Sequence, residues 1–544
     1  MMSMMTTWFS KRLKVATAVF ITVVALFVIV GCTADTKQYV VKDSRSGVFY
    51  EIFVRSFHDS DGDGVGDFKG IVEKLDYLND GNPETDSDLG IDGIWLMPIN
   101  DSPTYHGYDV VDYYAVNPDY GTMEDFELLL KESKKRGIKI IIDLVVNHSS
   151  SQHPWFIKSA YDPEGPYRDW YVWADEDDDT SAQSAAAGGS AWHLENDGYY
   201  KAIFWGEMPD FNFDNPEVQN AFADIGQFWL KKGVDGFRLD AAKHIFIDTY
   251  NDTTDPMMKK KNQKMWQQFR KDMDVVNKDA FLVGEVWDGS SAITPFLDQA
   301  LDSAFNFDLA GLIMSAAKDG SRSEIARYLK GVYEEYDSAA KGQYIDTTFL
   351  TNHDQTRVMT EVFENKDKAK LAASMLLTLP GVPFIYYGEE VGMTGAKPDE
   401  EIRLPFPWYK SGTGDGQTDF HVENSFYAST NFEHAYEVQV DDPDSLLNHY
   451  KTLIRLRKQH GPLMEGSIRE YPSENLEVEV YMRSLADEHL LVVHNVGDKE
   501  QTIPLSKGSK LPKFDDIIFE TNEGADVDGD KLTIPPYTSL ILAE

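Results

Sequence analysis

The chain has 544 residues, of which 42% are hydrophobic, 12% aromatic and 26% charged, and a formal net charge of −40 at pH 7. This length predicts about two or three domains. So acidic a surface excludes nucleic acid as a partner, because it repels phosphate, and it indicates a soluble monomer whose copies repel one another. A halophilic protein has such an excess, since high ionic strength screens the self-repulsion; a moderately acidic secreted protein is the alternative.

The N-terminal segment has the pattern of an export signal. A basic stretch precedes an apolar run from Val15 to Val30, which is shorter than the roughly 20 residues needed to span a bilayer. Ile29–Cys32 resembles the bacterial lipobox, and Cys32 is the only cysteine, so no internal disulfide is expected. We predict a signal peptide over 1–31, a lipid on Cys32 and a tether over 32–46. An uncleaved anchor is the alternative; either way, the protein is exported and only the anchor touches a bacterial membrane.

From Gly47 onward, strand-like apolar runs alternate with helical stretches. The predicted strands are Gly47–Val54, Gly93–Met97, Ile138–Val145, Gly236–Leu239, Phe281–Gly284, Ala304–Phe307, Thr348–Leu350 and Pro383–Tyr386. Helices such as Glu124–Arg136 and Asn220–Lys232, each followed by glycine, lie between them. Eight strands alternating with helices predict an α/β fold, a (β/α)8 TIM barrel. A doubly wound open sheet has the same alternation, but no glycine-rich dinucleotide loop follows the first strand.

Two regions depart from this alternation. The stretch from Asn147 to Glu207 is too long for a plain strand-to-helix loop and predicts a small inserted domain after strand 3. After a predicted helix over Ser445–His460, alternating segments with turn signals indicate a C-terminal antiparallel β-sandwich. The predicted parts are therefore the barrel over 47–146 and 208–460, the inserted domain over 147–207 and the sandwich over 461–544.

The segment Asp59–Asp67 follows the first predicted strand and has acids at alternate positions, separated mostly by glycines. Such a loop can curl its oxygens around one hard cation, and Ca²⁺ takes roughly six to eight oxygen ligands. The segment begins like an EF-hand loop but has Gly70 where the closing glutamate would stand. We expect a Ca²⁺ site here; a solvated acidic turn is the alternative.

Acidic or histidine residues stand at the ends of four predicted strands. These ends are Asp143–His148, Gly236–Asp240, Val283–Glu285 and Asn352–Asp354. Taken singly, an aspartate after a strand can simply cap the next helix. Four such ends converging on the carboxyl-terminal mouth of a barrel indicate an active site. Retaining glycoside hydrolysis needs a nucleophilic carboxylate and a carboxylic acid about 5–5.5 Å apart, and a third acid can oppose the positive charge of the transition state.

Six motifs resemble those of glycoside hydrolase family 13, the α-amylase family, in order and spacing. The four signature regions are matched by DLVVNH at 143–148, GFRLDAAKH at 236–244, GEVW at 284–287 and FLTNHD at 349–354. Two further motifs are matched by MPDFN at 208–212 and GVPFIYYGEE at 381–390. The likeness covers nearly all of 47–544. In character the chain is similar to bacterial lipoprotein α-amylases, some of them salt-adapted, that lie between typical α-amylases and oligo-1,6-glucosidases.

The resemblance implies a role for each acid. Asp240 is implied to be the nucleophile, and Arg238, two residues earlier on the same strand face, to keep it ionised. Glu285 is implied to be the general acid and then the general base. Asp354 is implied to stabilise the transition state.

Substrate contacts are implied in the same way. Tyr105–Tyr108 resembles the family loop whose tyrosine, here Tyr108, stacks beneath the sugar at the cleavage point, with His106 beside it. His148 and His353 are implied to donate hydrogen bonds to hydroxyls of that sugar.

Specificity is implied by a few further positions. Lys243 and His244 match the pair that contacts the leaving-group side in α-amylases, and Ala241 stands where oligo-1,6-glucosidases usually carry valine. Both features favour α-1,4 linkages in starch and maltooligosaccharides. In exo-acting relatives, residues at positions like Asp109 and Arg403 can pair and close the non-reducing end, which would allow short substrates and glycosyl transfer.

The loop after the first strand is a calcium site in the oligo-1,6-glucosidase branch of the family. The ligands that the resemblance implies are Asp59, Asp61, Asp63, the Val65 carbonyl and Asp67. A second calcium, held by Asn147 against the inserted domain, is a weaker expectation.

Two groups of alternatives stay open. Within enzymes, they are an oligo-1,6-glucosidase or α-glucosidase, a trehalose synthase and a transglycosylase. Outside enzymes, they are a glycan-binding surface lipoprotein and a degenerate member of the amino-acid transporter heavy-chain type. Such degenerate members have lost catalytic acids, so the presence of all three acids here argues against them.

Overall fold

The structure is a computed structural model that describes residues 47–196, 198–247, 253, 255–505 and 511–544. The predicted signal peptide, the tether and the lipid site at Cys32 lie outside the described residues. Within the described ranges, no helix combines the length and apolar character needed to cross a membrane.

Eight parallel strands form the barrel. In chain order they are β1 Phe49–Ile52, β2 Gly93–Leu96, β3 Lys139–Leu144, β4 Gly236–Leu239, β5 Phe281–Gly284, β6 Ser303–Ala304, β7 Thr347–Thr348 and β8 Val382–Tyr386. Each strand from β1 to β5 pairs with the next, and β8 pairs with both β7 and β1. A parallel bridge between Phe305 and Thr347 joins β6 to β7. The ring is therefore closed, and the predicted TIM barrel is confirmed.

Strand β6 is shorter than the sequence predicts. Phe305 follows the strand, but Phe307 already belongs to the next helix. The Asn306 side chain caps this helix, because it accepts a hydrogen bond from the Leu309 N–H at 3.1 Å. Aromatic rings fill the barrel interior at this level. They belong to Phe49, Trp95, Phe281, Phe305 and Phe384.

The helices surround the barrel and have local start and stop signals. Thr122 and Asp125 form a capping box for Met123–Lys135, and Pro216–Lys232 ends at Gly233, whose φ of 112° suits glycine. The other α-helices are Phe68–Glu73, Leu75–Leu78, Pro154–Tyr161, Pro256–Asp274, Ser290–Ile293, Phe307–Asp319, Ile325–Ala340, Val358–Glu361, Lys366–Thr378, Asp399–Ile402, Ala428–Glu433, Tyr436–Gln439, Leu446–Gln459 and Gly461–Glu465.

The segment between β3 and helix Pro216–Lys232 carries its own elements, which are helix Pro154–Tyr161 and a hairpin of Trp192–Glu195 with Gly198–Lys201. It returns to the barrel through an antiparallel bridge between His148 and Asp210. This path brings Phe204 against His148 and His244, with ring centroids 5.3 and 5.6 Å apart. A second hairpin follows β2 and pairs Asn100–Asp101 with Asp112–Val116.

The C-terminal region forms two antiparallel sheets. Its strands are β9 Ser467–Glu470, β10 Val478–Leu485, β11 Glu488–Asn495, β12 Gln501–Pro504, β13 Asp516–Glu520, β14 Asp526–Asp528, β15 Lys531–Ile534 and β16 Ser539–Ala543. One sheet has the order β9-β10-β11-β16-β13 and the other β12-β15-β14. Residues such as Val480, Leu491 and Leu532 from the two sheets share one apolar cluster. The antiparallel C-terminal domain is therefore confirmed.

A buried glutamate joins this domain to the barrel. Glu479 on β10 is 3% exposed and accepts hydrogen bonds from the N–H groups of Ser323 at 3.0 Å and Ile325 at 3.1 Å. These N–H groups stand at the start of barrel helix Ile325–Ala340. The domain thus supplies an acceptor for backbone donors that the helix cannot satisfy itself.

We expect Glu479→Ala to lower the free energy of unfolding by about 1–3 kcal/mol, because two buried donors lose their acceptor. Urea unfolding measures this. The matched control is Glu470→Ala on β9, which removes an exposed ion pair with Arg327 of helix Ile325–Ala340. This change should lower the free energy of unfolding by less than about 1 kcal/mol. Equal costs would contradict a specific role for the buried cap.

Candidate active site

The carboxyl ends of the barrel strands bring the predicted acids to one mouth. Asp143 lies near the end of β3, and Asp240 and Glu285 directly follow β4 and β5. His353 and Asp354 come shortly after β7. Main-chain hydrogen bonding between β4 and β5 continues past their ends, because the Glu285 N–H donates to the Leu239 carbonyl at 2.9 Å.

One guanidinium holds the first three acids together. Arg238 is 1% exposed; its Nη1 donates to Asp240 Oδ1 at 2.7 Å and to Asp143 Oδ2 at 2.8 Å. Its Nη2 lies 2.9 Å from Glu285 Oε2. Asp143 stands in the DLVVNH motif, but nothing in that motif indicates its contact with Arg238. The arrangement sets Asp240 and Glu285 close together on one cation.

The charges in this cluster do not balance. Burial raises the pKa of Asp240 well above its ordinary value, Arg238 opposes this, and the nearby carboxylates Glu285 and Asp143 add to the rise. Burial likewise raises the pKa of Asp143 against the effect of Arg238. Arg238 therefore lowers the pKa of Asp240, the direction that its predicted role requires, while burial and the neighbouring carboxylates raise it.

A strained residue follows Asp240. Ala241 has a φ of 47°, in the left-handed region that costs a residue with a side chain roughly 1–2 kcal/mol. Its N–H donates to Glu285 Oε2 at 3.0 Å. The turn thus directs a backbone donor at the second acid, which no sequence pattern had indicated.

The third acid lies between two cations. Asp354 Oδ2 is 3.0 Å from His353 Nε2, and Asp354 Oδ1 is 2.9 Å from Arg403 Nη2. Burial alone would raise the pKa of Asp354, but the ion pairs with His353 and Arg403 outweigh it and hold that pKa well below its usual range. These ion pairs favour the carboxylate form of Asp354. An anion fixed here can oppose positive charge on a sugar ring.

Stacked rings form one wall of the site. The Tyr108 ring lies nearly parallel to His353, with centroids 5.7 Å apart and 15° between planes, and to His106 at 6.1 Å and 26°. His148 is buried, its Nε2 has no hydrogen-bond partner among the described residues, and burial lowers its pKa to about 3. A buried, unpaired ring nitrogen is costly unless a ligand or water completes it. These places fit the predicted contacts with a sugar.

The predicted leaving-group pair lies on the Glu285 side of the site. Lys243 Nζ donates to the Trp287 carbonyl at 2.8 Å, and His244 Nδ1 is 2.9 Å from the Ile247 carbonyl. Trp287 is 48% exposed and stacks on Phe307, with centroids 4.5 Å apart.

The suggested pairing of Asp109 with Arg403 does not form within the described part of the chain. Arg403 is engaged by Asp354 and by Asp399 at 3.3 Å. Asp109 instead accepts hydrogen bonds from the hydroxyls of Ser102, at 2.6 Å, and Thr104. With each partner satisfied elsewhere, the non-reducing end is not closed by this pair.

The acidic loop after β1 brings three of its five predicted ligands together. Carboxylate oxygens of Asp59, Asp61 and Asp67 all lie within 4.8 Å of one another. Asp63 is not in this group; its Oδ1 accepts a hydrogen bond from the Val65 N–H at 2.8 Å. Asp59 is held in place by the N–H groups of two glycines that follow it. Three converging carboxylates are the donor type that Ca²⁺ prefers.

The weaker expectation, a second calcium held by Asn147, stays a prediction. Asn147 Nδ2 donates to Asp210 Oδ1 at 3.0 Å, so its amide nitrogen faces that carboxylate. Residues 47–196, 198–247, 253, 255–505 and 511–544 contain no second group of three such ligands.

Comparison with known proteins agrees with this fold. The family model for the alpha amylase catalytic domain matches residues 51–466, and that for the alpha-amylase SusG C-terminal domain matches 478–541. Alpha-amylase 3 of Dictyoglomus thermophilum is 40% identical over 96% of this chain and 98% of its own length. A 4-alpha-glucanotransferase of Thermotoga maritima is 36% identical, over 83% of this chain and 96% of that protein.

An oligo-1,6-glucosidase of Parageobacillus thermoglucosidasius is 31% identical, over 88% of this chain and 93% of its own. The crystal structure of the alpha-amylase from H. orenii superposes with a TM-score of 0.84 at 46% identity, covering 92% of this chain and 99% of that one. The chain therefore belongs to the α-amylase family of glycoside hydrolases, family 13.

Proposed function

We propose that this glycoside hydrolase is an α-amylase that cleaves α-1,4-glucosidic bonds in starch and maltooligosaccharides with retention of configuration. The observation that carries the proposal is the single guanidinium of Arg238 between Asp240 and Glu285. Sharing one cation keeps the two carboxyl groups close. A retaining enzyme needs about 5–5.5 Å between them, whereas an inverting one needs about 6.5–9.5 Å to admit a water.

The proposed reaction has two steps. Asp240 attacks the anomeric carbon while Glu285 gives its proton to the departing glycosidic oxygen, so one bond forms to the enzyme as the glucosidic bond breaks. Glu285, now a carboxylate, then takes a proton from water, whose oxygen displaces Asp240. Two inversions leave the configuration unchanged. Asp354 faces the sugar as a fixed anion while positive charge develops on the ring.

The proposed α-1,4 preference rests on the leaving-group side. Lys243 contacts the Trp287 carbonyl on the loop that carries Glu285, and His244 is the next residue, so the pair lies where the glucose unit after the broken bond would sit. Ala241, with its strained φ, leaves a small side chain next to Asp240. The two alpha-amylases among the relatives described above support the same assignment.

Product analysis tests the proposal. Starch, maltotetraose and isomaltose are offered to the purified protein, and we expect rapid loss of starch viscosity, short maltooligosaccharides and little attack on isomaltose. NMR of the first product should show the α-anomer. Preferred hydrolysis of isomaltose would identify an oligo-1,6-glucosidase instead, and an initial β-anomer would exclude retention.

Glycosyl transfer is a second proposed activity, because a 4-alpha-glucanotransferase covers most of the chain at 36% identity. In transfer, a sugar hydroxyl replaces water in the second step. Products longer than maltotetraose, formed from maltotetraose alone, would demonstrate it.

We also propose that the loop after β1 holds one Ca²⁺ through Asp59, Asp61 and Asp67, and that the ion fixes the loop rather than takes part in the reaction. Adding Ca²⁺ at about 100 times its Kd should stabilise the fold by about 2.7 kcal/mol over the chelated protein. Thermal unfolding with EDTA and with Ca²⁺ measures this. Asp61→Asn should abolish most of the difference, whereas no difference in the unaltered protein would contradict the site.

The variant Asp63→Asn tests the ligand set. If the ion binds the three clustered acids alone, this variant should keep its response to Ca²⁺. If the loop rearranges so that all five residues implied by the family resemblance bind, the response should weaken as it does in Asp61→Asn.

We further propose that the protein is exported and lipid-anchored at Cys32, outside the cytoplasm of a bacterium, and that its charge of −40 adapts it to salt. Labelling with a fatty-acid analogue should mark the membrane-bound protein, and Cys32→Ser should lose both label and membrane attachment. Activity that survives molar NaCl would support salt adaptation, since screening relieves the self-repulsion.

A further inference from the structure

A buried glutamate on β1 has no place in the proposed reaction. Glu51 is 2% exposed, within the barrel, where an unpaired carboxylate would be costly. Its Oε1 lies 2.5 Å from His353 Nδ1. The two residues are 302 positions apart in the chain, so only the closed barrel brings them together.

The hydrogen bonds around His353 define its protonation. On one side, Nδ1 faces the Glu51 carboxylate, which as an anion only accepts. On the other side, Nε2 lies 3.0 Å from Asp354 Oδ2 and 2.6 Å from the Tyr108 hydroxyl. The Asp354 carboxylate only accepts, and the Tyr108 hydroxyl, which donates its own proton to Asp143 at 3.1 Å, can accept from Nε2 as well. Both ring nitrogens therefore need a proton, and only the imidazolium form supplies two.

We propose that Glu51 is a positioning residue that holds His353 as an imidazolium, so that the ring donates from both nitrogens and keeps a fixed orientation between Asp354 and Tyr108. The inference rests on the proposed function, because it concerns the histidine expected to bind substrate. Glu51 touches neither substrate nor the reacting atoms; it acts through the ring.

The surrounding charges support this assignment. The titratable and charged groups that face His353 or its carboxylate partners are Glu51 on β1, Tyr108 after β2, Asp143 on β3, Arg238 on β4, Asp354 after β7 and Arg403 after β8. Burial lowers the pKa of His353, but the carboxylates of Asp354 and Glu51 outweigh burial and raise it to about 9. Since the folded pKa lies above the ordinary value, the imidazolium is present at neutral pH and is lost as the pH rises through about 9.

The test is the pH dependence of kcat/KM in Glu51→Gln, which keeps the shape of the side chain but removes its charge. Because His353 then keeps only one of its two carboxylate partners, the alkaline limb of the kcat/KM profile should move to lower pH by about 1–2 units. At the optimum, kcat should fall about 10-fold, with a smaller change in KM. Glu51→Asp keeps the charge but places it farther from His353. Its alkaline limb should lie between those of the unaltered protein and Glu51→Gln.

The matched control is Glu390→Gln. Glu390 is also fully buried and accepts hydrogen bonds from Tyr50 and Tyr77, each at 2.6 Å, but it makes no hydrogen bond or ion pair with His353 within the described residues. Its replacement can lower stability but should leave the alkaline limb unmoved. If Glu51→Gln lowers activity with an unmoved limb, or if both variants shift it equally, Glu51 is merely structural and the inference is overturned.

A measurement on the unaltered protein makes the outcome independent of the folding of any variant. With ¹³C-labelled histidine, and the His353 signal assigned from its absence in His353→Asn, the ring should titrate near pH 9. A midpoint at or below about 6.5, the ordinary histidine value, would overturn the inference. If the protein hydrolyses no α-glucan, the proposed function fails, yet this titration still decides whether Glu51 holds an imidazolium.

Discussion

Asp240→Asn should lower kcat for starch hydrolysis by about 10⁴-fold or more while leaving the fold intact. The amide has the same shape but is not a nucleophile, so the covalent intermediate cannot form. Arg238 keeps its contacts with Asp143 and Glu285, and loss of one of several buried carboxylates relieves repulsion rather than creates it. Unfolding by urea should therefore show stability equal to or above that of the unaltered protein.

Glu285→Gln separates the two proposed roles. This variant should lose about 10²–10⁴-fold on starch, but much less on an aryl maltoside whose leaving group needs no proton. Azide, which attacks without a general base, should restore turnover of that aryl substrate and yield an α-glycosyl azide, because it displaces Asp240 from the β-linked intermediate with a second inversion. In Asp240→Asn, azide should give no such product.

The matched control is Asp288→Asn, which removes an exposed carboxylate that lies 3.4 Å from Lys243 Nζ, three residues beyond Glu285. Its effect on kcat should be small. Unchanged starch hydrolysis by Glu285→Gln would refute the assignment of all three acids, because each role was inferred from the same set of motifs.

The fold was largely predictable because its signals are local. Strands β4 and β5 have the predicted bounds. Helix starts and ends follow from caps such as Thr122 and Gly233. Strand β6 was predicted too long because its aromatic run continues into a helix, and the cap at Asn306 that divides them is one residue within that run. Local patterns identify the type of an element more reliably than the residues at which it begins and ends.

The site was predictable only at the strand ends. Asp240, Glu285 and Asp354 could be found because parallel strands end on one face of a barrel. Their partners could not: Glu51 on β1 contacts His353, which follows β7, and β8 lies between these two strands. The left-handed turn at Ala241 is imposed by tertiary contacts, because alanine has no preference for it. The idea that Asp109 pairs with Arg403 failed because sequence does not show that each has a nearer partner.

The second large effect concerns Arg238. Arg238→Met should lower the free energy of unfolding at pH 8 by about 3–5 kcal/mol, because buried carboxylates lose their cation, and it should nearly abolish activity. Burial and mutual repulsion already raise the pKa values of Asp143 and Asp240. Without the guanidinium both rise further, so the carboxyls of the variant take up protons as the pH falls toward 5. A neutral carboxyl is cheaper to bury, and the loss of stability should shrink accordingly.

Arg483→Met is the control that isolates this charge effect. Arg483 is also fully buried, but it donates to backbone carbonyls, those of Thr378, Leu463 and Gly466, which do not titrate. Its replacement should cost about the same at pH 5 as at pH 8, whereas the cost of Arg238→Met should fall. If both costs were independent of pH, packing alone would explain Arg238. If only the cost of Arg238→Met depends on pH, the guanidinium is what allows Asp143, Asp240 and Glu285 to share one barrel mouth. Retaining chemistry there then depends on Arg238.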